Sequence, residues 1–440
     1  MSQTDLSRLF AEHIATRQRE AEAALAASGL DHLLIAAGVD KYRFHDDMPY
    51  PFRPNPQFLA WAPLDHHPRC WLAVTPGKKP VLVYYQPDDF WHLVPADPNG
   101  YWVDAFDIRI VRRKDDIAAE LPPAAKAAIL GEADAAIDGY APNNPDAVVN
   151  PLHYARGVKT AYELVMMRRA QQRAVAGHRA AEAAFRAHES ELGIQRAYLA
   201  ASGHLDTDLP YGNIIGLNEH GAVLHYQHQD AMAPSDSRSF LIDAGAQVVG
   251  YAADITRTYA RSVGPFQDLI DGIDAVQRRL CDAVRAGTDY AQLHLDCHRQ
   301  LAQVLIEQDV LHGSADDAVA SGVSSTFFPH GLGHLIGLQV HDIGGFMPGP
   351  DGGRIEPPEG HPFLRLTRKL EPGMVVTIEP GLYFIDSLLA KLKEGPHADM
   401  VNWKRVDTLR PYGGVRIEDE VLCTDGEPEN LSRAAFAAAG

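Results

Sequence analysis

Residues 239–260 read SFLIDAGAQVVGYAADITRTYA, two apolar, β-rich runs that each carry one aspartate, Asp243 and Asp254. A carboxylate inside an apolar strand needs a partner, because burying it alone is strongly unfavourable. Either aspartate alone reads as a turn cap or half of a surface ion pair. Together they read differently. The two runs predict a hairpin with a two-residue loop at Val248-Val249, which sets Asp243 directly opposite Asp254. Directly opposed residues have Cβ atoms about 4.5–5.5 Å apart, a spacing at which two carboxylates can share cations. Thr256 falls on the same strand face as Asp254 by the period of two.

Three more stretches carry donors. HGLGHLIGLQVHD (330–342) places His330 and His334 four apart, but Gly331 and Gly333 argue against a helix there. Position 331 is not the glutamate of an HExxH zinc motif, so a glycine-rich loop that delivers one histidine fits better. In MVVTIEPGLY (374–383), Glu379 shares a strand face with Val375 and Thr377. In GGVRIEDEVLC (413–423), Glu418 shares a face with Arg416 and Glu420, opposite Val415, Ile417 and Val421. Taken alone, that alternation predicts a solvated polar face. Taken as a set, four carboxylates and one imidazole form a hard, oxygen-rich group suited to Mn²⁺ or Co²⁺ more than to a closed structural zinc site. Two ions about 3.5–4 Å apart can share a hydroxide and polarise the group it attacks.

The 440 residues carry Lys+Arg 40 against Asp+Glu 58, a net charge of −18, which argues against nucleic acid or an anionic membrane as partner. A solvated acidic surface accounts for most of that excess. At 46% hydrophobic and 22% charged, the composition is that of a soluble globular protein. Cys70, Cys281, Cys297 and Cys423 are scattered without a CxxC pair, as expected in a reducing compartment. The first 29 residues lack a signal peptide's apolar core and instead space Leu6, Phe10 and Ile14 as an amphipathic helix. No apolar run has the length of a membrane span, so a cytoplasmic protein is expected.

Length predicts two domains. HLLIAAG (32–38), CWLAVT (70–75), PVLVYY (80–85), IRIVRR (108–113) and AAILGEA (127–133) alternate with helical patterns, which predicts an α/β domain. APNNPDAVVNP (141–151) reads as a connection, and Thr160 with Glu163 form a capping box opening a long helix to about Ser190. The boundary is expected near residue 158, giving domains 1–158 and 159–440.

The ordered set Asp243, Asp254, His334 within PHGLGH, Glu379 within TIEPG and Glu418 within RIED resembles the dinuclear "pita-bread" metallopeptidases, which include methionine aminopeptidase, aminopeptidase P, creatinase and prolidase. HIATRQRE (13–20), DDMPYPFRPNPQF (46–58) and GHPFLRLTRK (360–369) are similar to the bacterial Xaa-Pro dipeptidase, or prolidase, branch and to its organophosphorus acid anhydrolases. The resemblance implies an α/β creatinase-like N-terminal domain and an α+β pita-bread catalytic domain. It implies two divalent ions, Mn²⁺ before Co²⁺ or Zn²⁺, held by Asp243, Asp254, His334, Glu379 and Glu418, with Asp254 and Glu418 bridging. Xaa-Pro dipeptides would be hydrolysed by a hydroxide shared between the ions, releasing proline, with Glu379 taking a proton from the water. His225 and His341 would stabilise the oxyanion, Arg365 would hold the substrate carboxylate, and Arg416 would support the ligands. Tyr211, Tyr290, Val340 and Leu364 fall at expected pocket positions. The resemblance further implies a homodimer in which Asp47 of one subunit closes the other's pocket beside the substrate ammonium. Phosphotriester or fluorophosphonate hydrolysis and aminopeptidase P activity are the alternatives.

Overall fold

The computed structural model describes residues 2–440 and divides into two compact units. One comprises the chain to Met166 together with Met347–Gly353, and the other Met167–Phe346 with Arg354–Gly440. The expected class holds for both: α/β in the first, α+β in the second.

In the first unit, the helix Gln3–Ser28 turns Leu6, Phe10 and Ile14 inward and ends at Gly29, whose φ of +66° glycine adopts without strain. Five strands follow, β1 (His32–Ala36), β2 (Trp71–Val74), β3 (Val81–Tyr85), β4 (Asp107–Val111) and β5 (Ala127–Leu130), in the order β4-β3-β2-β1-β5. The outer pairs β3/β4 and β1/β5 are parallel and the inner pairs antiparallel. Near-continuous apolar runs such as β1 and β5 suit strands covered on both faces. The capping box forms: Thr160 N–H donates to Glu163 at 2.7 Å, and the helix runs from Ala161 to Arg186.

The second unit is built of short strands wrapped by helices. β6 (Ile214–Leu217), β7 (Ser239–Asp243) and β10 (Thr256–Ala260) form one sheet; β8 (Ala246–Val248) and β9 (Tyr251–Ala253) cap its hairpin. β11 (Val375–Ile378), β12 (Gly381–Tyr383), β13 (Gly414–Arg416) and β14 (Asp419–Leu422) complete the set, pairing as β11/β14 and β12/β13.

The hairpin exists, but its expected register needs correcting. Val248 pairs with Tyr251, so the turn is Val249-Gly250, and Asp243 pairs with Thr256 instead of Asp254. Both turn residues have positive φ, +46° and +87°, the requirement of a two-residue hairpin whose twist matches its strands. Glycine meets that requirement at Gly250 without strain, which fixes the register two residues beyond the expected one. The solvated face expected for Arg416, Glu418 and Glu420 is also overturned: all three are buried. A bridge from Thr256 to Glu418 lays this segment against β10 and covers it.

Candidate metal centre

Five chain segments converge. Asp243 ends β7, Asp254 sits in the step between β9 and β10, and Tyr211 lies behind both: its hydroxyl is 2.8 Å from Asp243 Oδ1 and also hydrogen-bonded to Asp254 Oδ1. One phenolic proton serves only one of those oxygens at a time. The PHGLGH segment is a loop, as expected, and it runs beside β11. Thr377 N–H donates to the His334 carbonyl at 2.9 Å, Glu379 N–H to Leu332 at 2.9 Å, and His334 N–H to Thr377 Oγ1 at 3.0 Å. The approach requires glycine at position 333, where a Cβ would stand 2.2 Å from the Thr377 carbonyl. Glu418 enters between β13 and β14, its N–H on the Thr256 carbonyl and one carboxylate oxygen accepting from Thr256 Oγ1 at 2.7 Å.

The result is a cluster. Donor atoms of Asp254, His334 and Glu418 lie within 4.8 Å of one another. His334 Nε2 stands 3.7 Å from Asp254 Oδ2 and 3.6 Å from Glu379 Oε1. His334 Nδ1–H donates to the Leu335 carbonyl at 3.0 Å, which leaves the Nε2 lone pair facing the carboxylates, the arrangement of a metal-binding imidazole. Arg416 spans the back of the site. It donates to Asp243 Oδ2 at 2.7 Å, to Tyr383 Oη at 2.8 Å and to Thr256 Oγ1 at 3.3 Å.

Electrostatics show what the cluster lacks. Burial, then the charge of Asp243, holds Asp254 well above the ordinary carboxylate range. Burial, then Asp254 and Glu379, does the same to Glu418. Glu379 rises to about 8 through burial, with Arg416 pulling down and Asp243 pushing up. Burial brings His334 down to about 3. Buried carboxylates gathered around one buried guanidinium, that of Arg416, cannot all ionise without more positive charge. Glu418 Oε1, moreover, is buried with no hydrogen-bond partner. A partnerless carboxylate oxygen beside an imidazole lone pair fits divalent cations: the donor set is right and its charge is uncompensated.

Asp243, Asp254, His334, Glu379 and Glu418 all line one cavity of about 460 Å³, with His225, His341, Arg365 and Arg416. Four other expected pocket residues do not join the lining. Tyr211 stands behind the aspartates; the Tyr290 hydroxyl is spent on the Thr377 carbonyl at 2.6 Å; Leu364 is packed away, and Val340 is half-buried elsewhere. Asp47 lies in an exposed loop of the first unit. The sequence reading missed the apolar wall of Phe363, Ile385 and Leu388, and the Tyr383 bridge. His330 belongs to that bridge: its Nδ1–H donates to the Gly331 carbonyl and its Nε2 accepts from Tyr383, which itself accepts from Arg416. Tyr383, four residues beyond Glu379, lies in β12, paired with the β13 strand that carries Arg416, and carried no local signal.

Comparison with known proteins agrees with this geometry. Residues 8–154 match "Xaa-Pro dipeptidase, N-terminal domain", and residues 165–425 match "Metallopeptidase family M24". The chain is 57% identical to an Xaa-Pro dipeptidase of Xanthomonas oryzae pv. oryzae and 55% identical to one of Stenotrophomonas maltophilia, each over 100% of both chains. Its fold is shared with Escherichia coli aminopeptidase P bound to the inhibitor Pro-Leu, with a TM-score of 0.70 at 23% identity over 100% of this chain and 99% of that one. A zinc-substituted form of that enzyme with product gives a TM-score of 0.69 at 22% identity over the same shares. With buried carboxylates and a lone-pair imidazole gathered in its second unit, and with that unit matched nearly end to end, the chain belongs to the M24 metallopeptidases, whose chemistry depends on divalent metal ions.

Proposed function

We propose that this protein hydrolyses Xaa-Pro dipeptides and releases proline. The observation that carries the reading is Arg365. Its guanidinium lines the cavity that holds the carboxylate cluster, and no hydrogen bond or ion pair engages it among the described residues. A cation left free at one wall suits a substrate whose carboxylate lies one residue from the scissile bond. The full-length relatives named Xaa-Pro dipeptidase support the same substrate.

Asp243, Asp254, His334, Glu379 and Glu418 would hold two divalent ions, Mn²⁺ before Co²⁺ or Zn²⁺, in a catalytic domain starting near residue 159. Bound there, such ions supply Lewis acidity and lower the pKa of water to near neutrality. Arg416 fixes Asp243, and Tyr211 steadies the aspartate pair from behind. Glu379, at the cavity wall, accepts the proton that the attacking water gives up. His225 and His341 donate hydrogen bonds to the oxygen that gains charge as the carbonyl becomes tetrahedral. Arg365 binds the proline carboxylate, and Phe363, Ile385 and Leu388 form an apolar wall for the ring. The peptide bond before proline has no N–H, so recognition falls on the carbonyl and the two chain termini. Tyr290 acts from outside the cavity, its hydroxyl on the carbonyl of Thr377, two residues before Glu379.

The reading extends to a cytoplasmic homodimer in which Asp47 of one subunit meets the substrate ammonium in the other. No helix among the described residues is long and apolar enough to cross a membrane, and all four cysteines are free and buried.

The test is a metal titration of chelator-treated enzyme, assayed on Xaa-Pro dipeptides, Xaa-Pro-Xaa tripeptides and a neutral phosphotriester. Mn²⁺ should restore dipeptide cleavage above the other two substrates. Full dipeptidase activity in metal-free enzyme, or faster tripeptide cleavage, overturns the proposal.

A further inference from the structure

His294 and His298 lie one turn apart on the helix Tyr290–Glu307, on the same face, and His361 meets them from the loop that follows residue 358. The ring centroids are 4.7 Å apart for His294 and His298, 4.7 Å for His294 and His361, and 4.5 Å for His298 and His361. One ring nitrogen from each lies within 4.8 Å of the others. None of the three lines the cavity of the carboxylate cluster.

We infer that His294, His298 and His361 form a separate binding site for Zn²⁺. His294 and His298 are each 1% exposed, yet His294 Nδ1 and His298 Nε2 have no hydrogen-bond partner. Leaving a buried polar atom unsatisfied is unfavourable, and His298 Nε2 is the one that an ion held by this trio would satisfy. His298 is oriented for one. With its Nδ1–H donating to Ser324 Oγ at 3.1 Å, its Nε2 keeps the lone pair. His294 Nε2 and His361 Nδ1 share one proton across 3.0 Å, a place an ion can take with little movement of either ring.

The rings are in the metal-binding form. Burial and the neighbouring imidazoles bring His294 down to about 2 and His298 to about 3, and burial lowers His361, so all three stay neutral near pH 7. Nitrogens bound about 2.0–2.1 Å from a tetrahedral Zn²⁺ stand roughly 3.3 Å apart, so a small inward turn of the rings closes the site. Phe328 covers the buried side, with its ring 4.8 Å from that of His298. His361 is only partly buried, which leaves the fourth position to water.

The site also has something to act on. Leu364 N–H bonds back to the His361 carbonyl at 3.3 Å, and the same turn carries Phe363 and Arg365 into the catalytic cavity. An ion on the trio pins that turn to the helix and steadies Arg365. This consequence rests on the dipeptidase reading; Zn²⁺ binding does not.

Enzyme loaded with Mn²⁺ and freed of excess metal is titrated with Zn²⁺ against a chromophoric chelator, and both metals are counted by mass spectrometry. Wild type should take up one Zn²⁺ while keeping its Mn²⁺. His361→Ala, on a partly exposed loop, should bind Zn²⁺ about 100-fold more weakly, since losing even an outer partner of a ligand costs up to that much. His298→Asn should do the same, and circular dichroism reports whether either variant is folded. Equal Zn²⁺ uptake by wild type and His361→Ala, or uptake matched by loss of Mn²⁺, overturns the site. A KM for Gly-Pro that Zn²⁺ leaves unchanged overturns the coupling to Arg365. Absence of Gly-Pro cleavage in Mn²⁺-loaded enzyme counts against the dipeptidase reading and leaves the Zn²⁺ count to be read by itself.

Discussion

Replacing Arg365 with alanine separates substrate binding from catalysis. The guanidinium is exposed and makes no contact that holds the fold, so its removal leaves no buried charge without a partner. A charge-assisted hydrogen bond contributes about 1.5–3 kcal/mol. Solvent screens an exposed guanidinium, so the lower end applies, and ~1.5 kcal/mol corresponds to about tenfold. Arg365→Ala should therefore raise the KM for Gly-Pro about tenfold while kcat stays within roughly a factor of two. A neutral phosphotriester has no carboxylate to lose, so its hydrolysis should not change. Arg365→Lys keeps the charge without the planar fork and should fall between the two. Steady-state kinetics on both substrates, with a thermal melt, make the assay. Equal losses on both substrates, or a melting point several degrees lower, would show that Arg365 holds structure and that the proline carboxylate binds elsewhere.

Asp254→Asn should cut metal content and activity by orders of magnitude, on the order of 100-fold or more, because an amide bridges cations poorly; metal analysis showing two bound ions and normal turnover would refute this. Asp47→Ala should weaken dipeptide binding without loss of metal, and sedimentation should show a dimer; a fully active monomer would exclude the arrangement in trans. Acid should destabilise the first unit through His13 and Glu163. Burial alone would raise Glu163, but Arg17 and His13 bring it to about 2 from an ordinary 4.5, and burial lowers His13 from 6.5 to about 4. Both folded-state values lie below the unfolded ones, so stability is full above pH 6.5 and is lost as pH falls, first with His13 and then between 4.5 and 2 with Glu163. The Glu163 shift alone amounts to about 3 kcal/mol. Urea midpoints measured down the pH scale should fall in wild type and flatten below pH 4.5 in Glu163→Gln; a flat wild-type profile would refute the account.

Much of the site was legible because its donors interrupt strong local patterns. Asp243, Asp254, Glu379 and Glu418 each break an apolar run, and glycines beside His334 ruled out a helix. All five stand around one cavity. The hairpin register was missed because QVVG offers more than one two-residue turn; Gly250 at positive φ decides it, a preference that Val248-Val249 ignores. Glu418 looked solvated because strand alternation reports two faces without saying what lies against each. Here Thr256 covers the polar one, donating to Glu418 and accepting from Arg416. The Tyr383 bridge and the trio of His294, His298 and His361 depend on contacts between segments far apart in the chain, which no local pattern encodes.

Because Asp243 and Asp254 sit on the arms of one hairpin, both leave the ribosome together and can meet through a turn that closes in about 1–10 μs. Glu418 follows much later. At about 5–20 residues per second, the interval is on the order of ten seconds. During it His334 and then Glu379 follow the two aspartates, and the proposed ligand set stays incomplete until Glu418 is made. With that set, peptide cleavage waits on the synthesis of Glu418. On the proposed ligand set, a chain released before Glu418 presents no complete centre to the peptides around it.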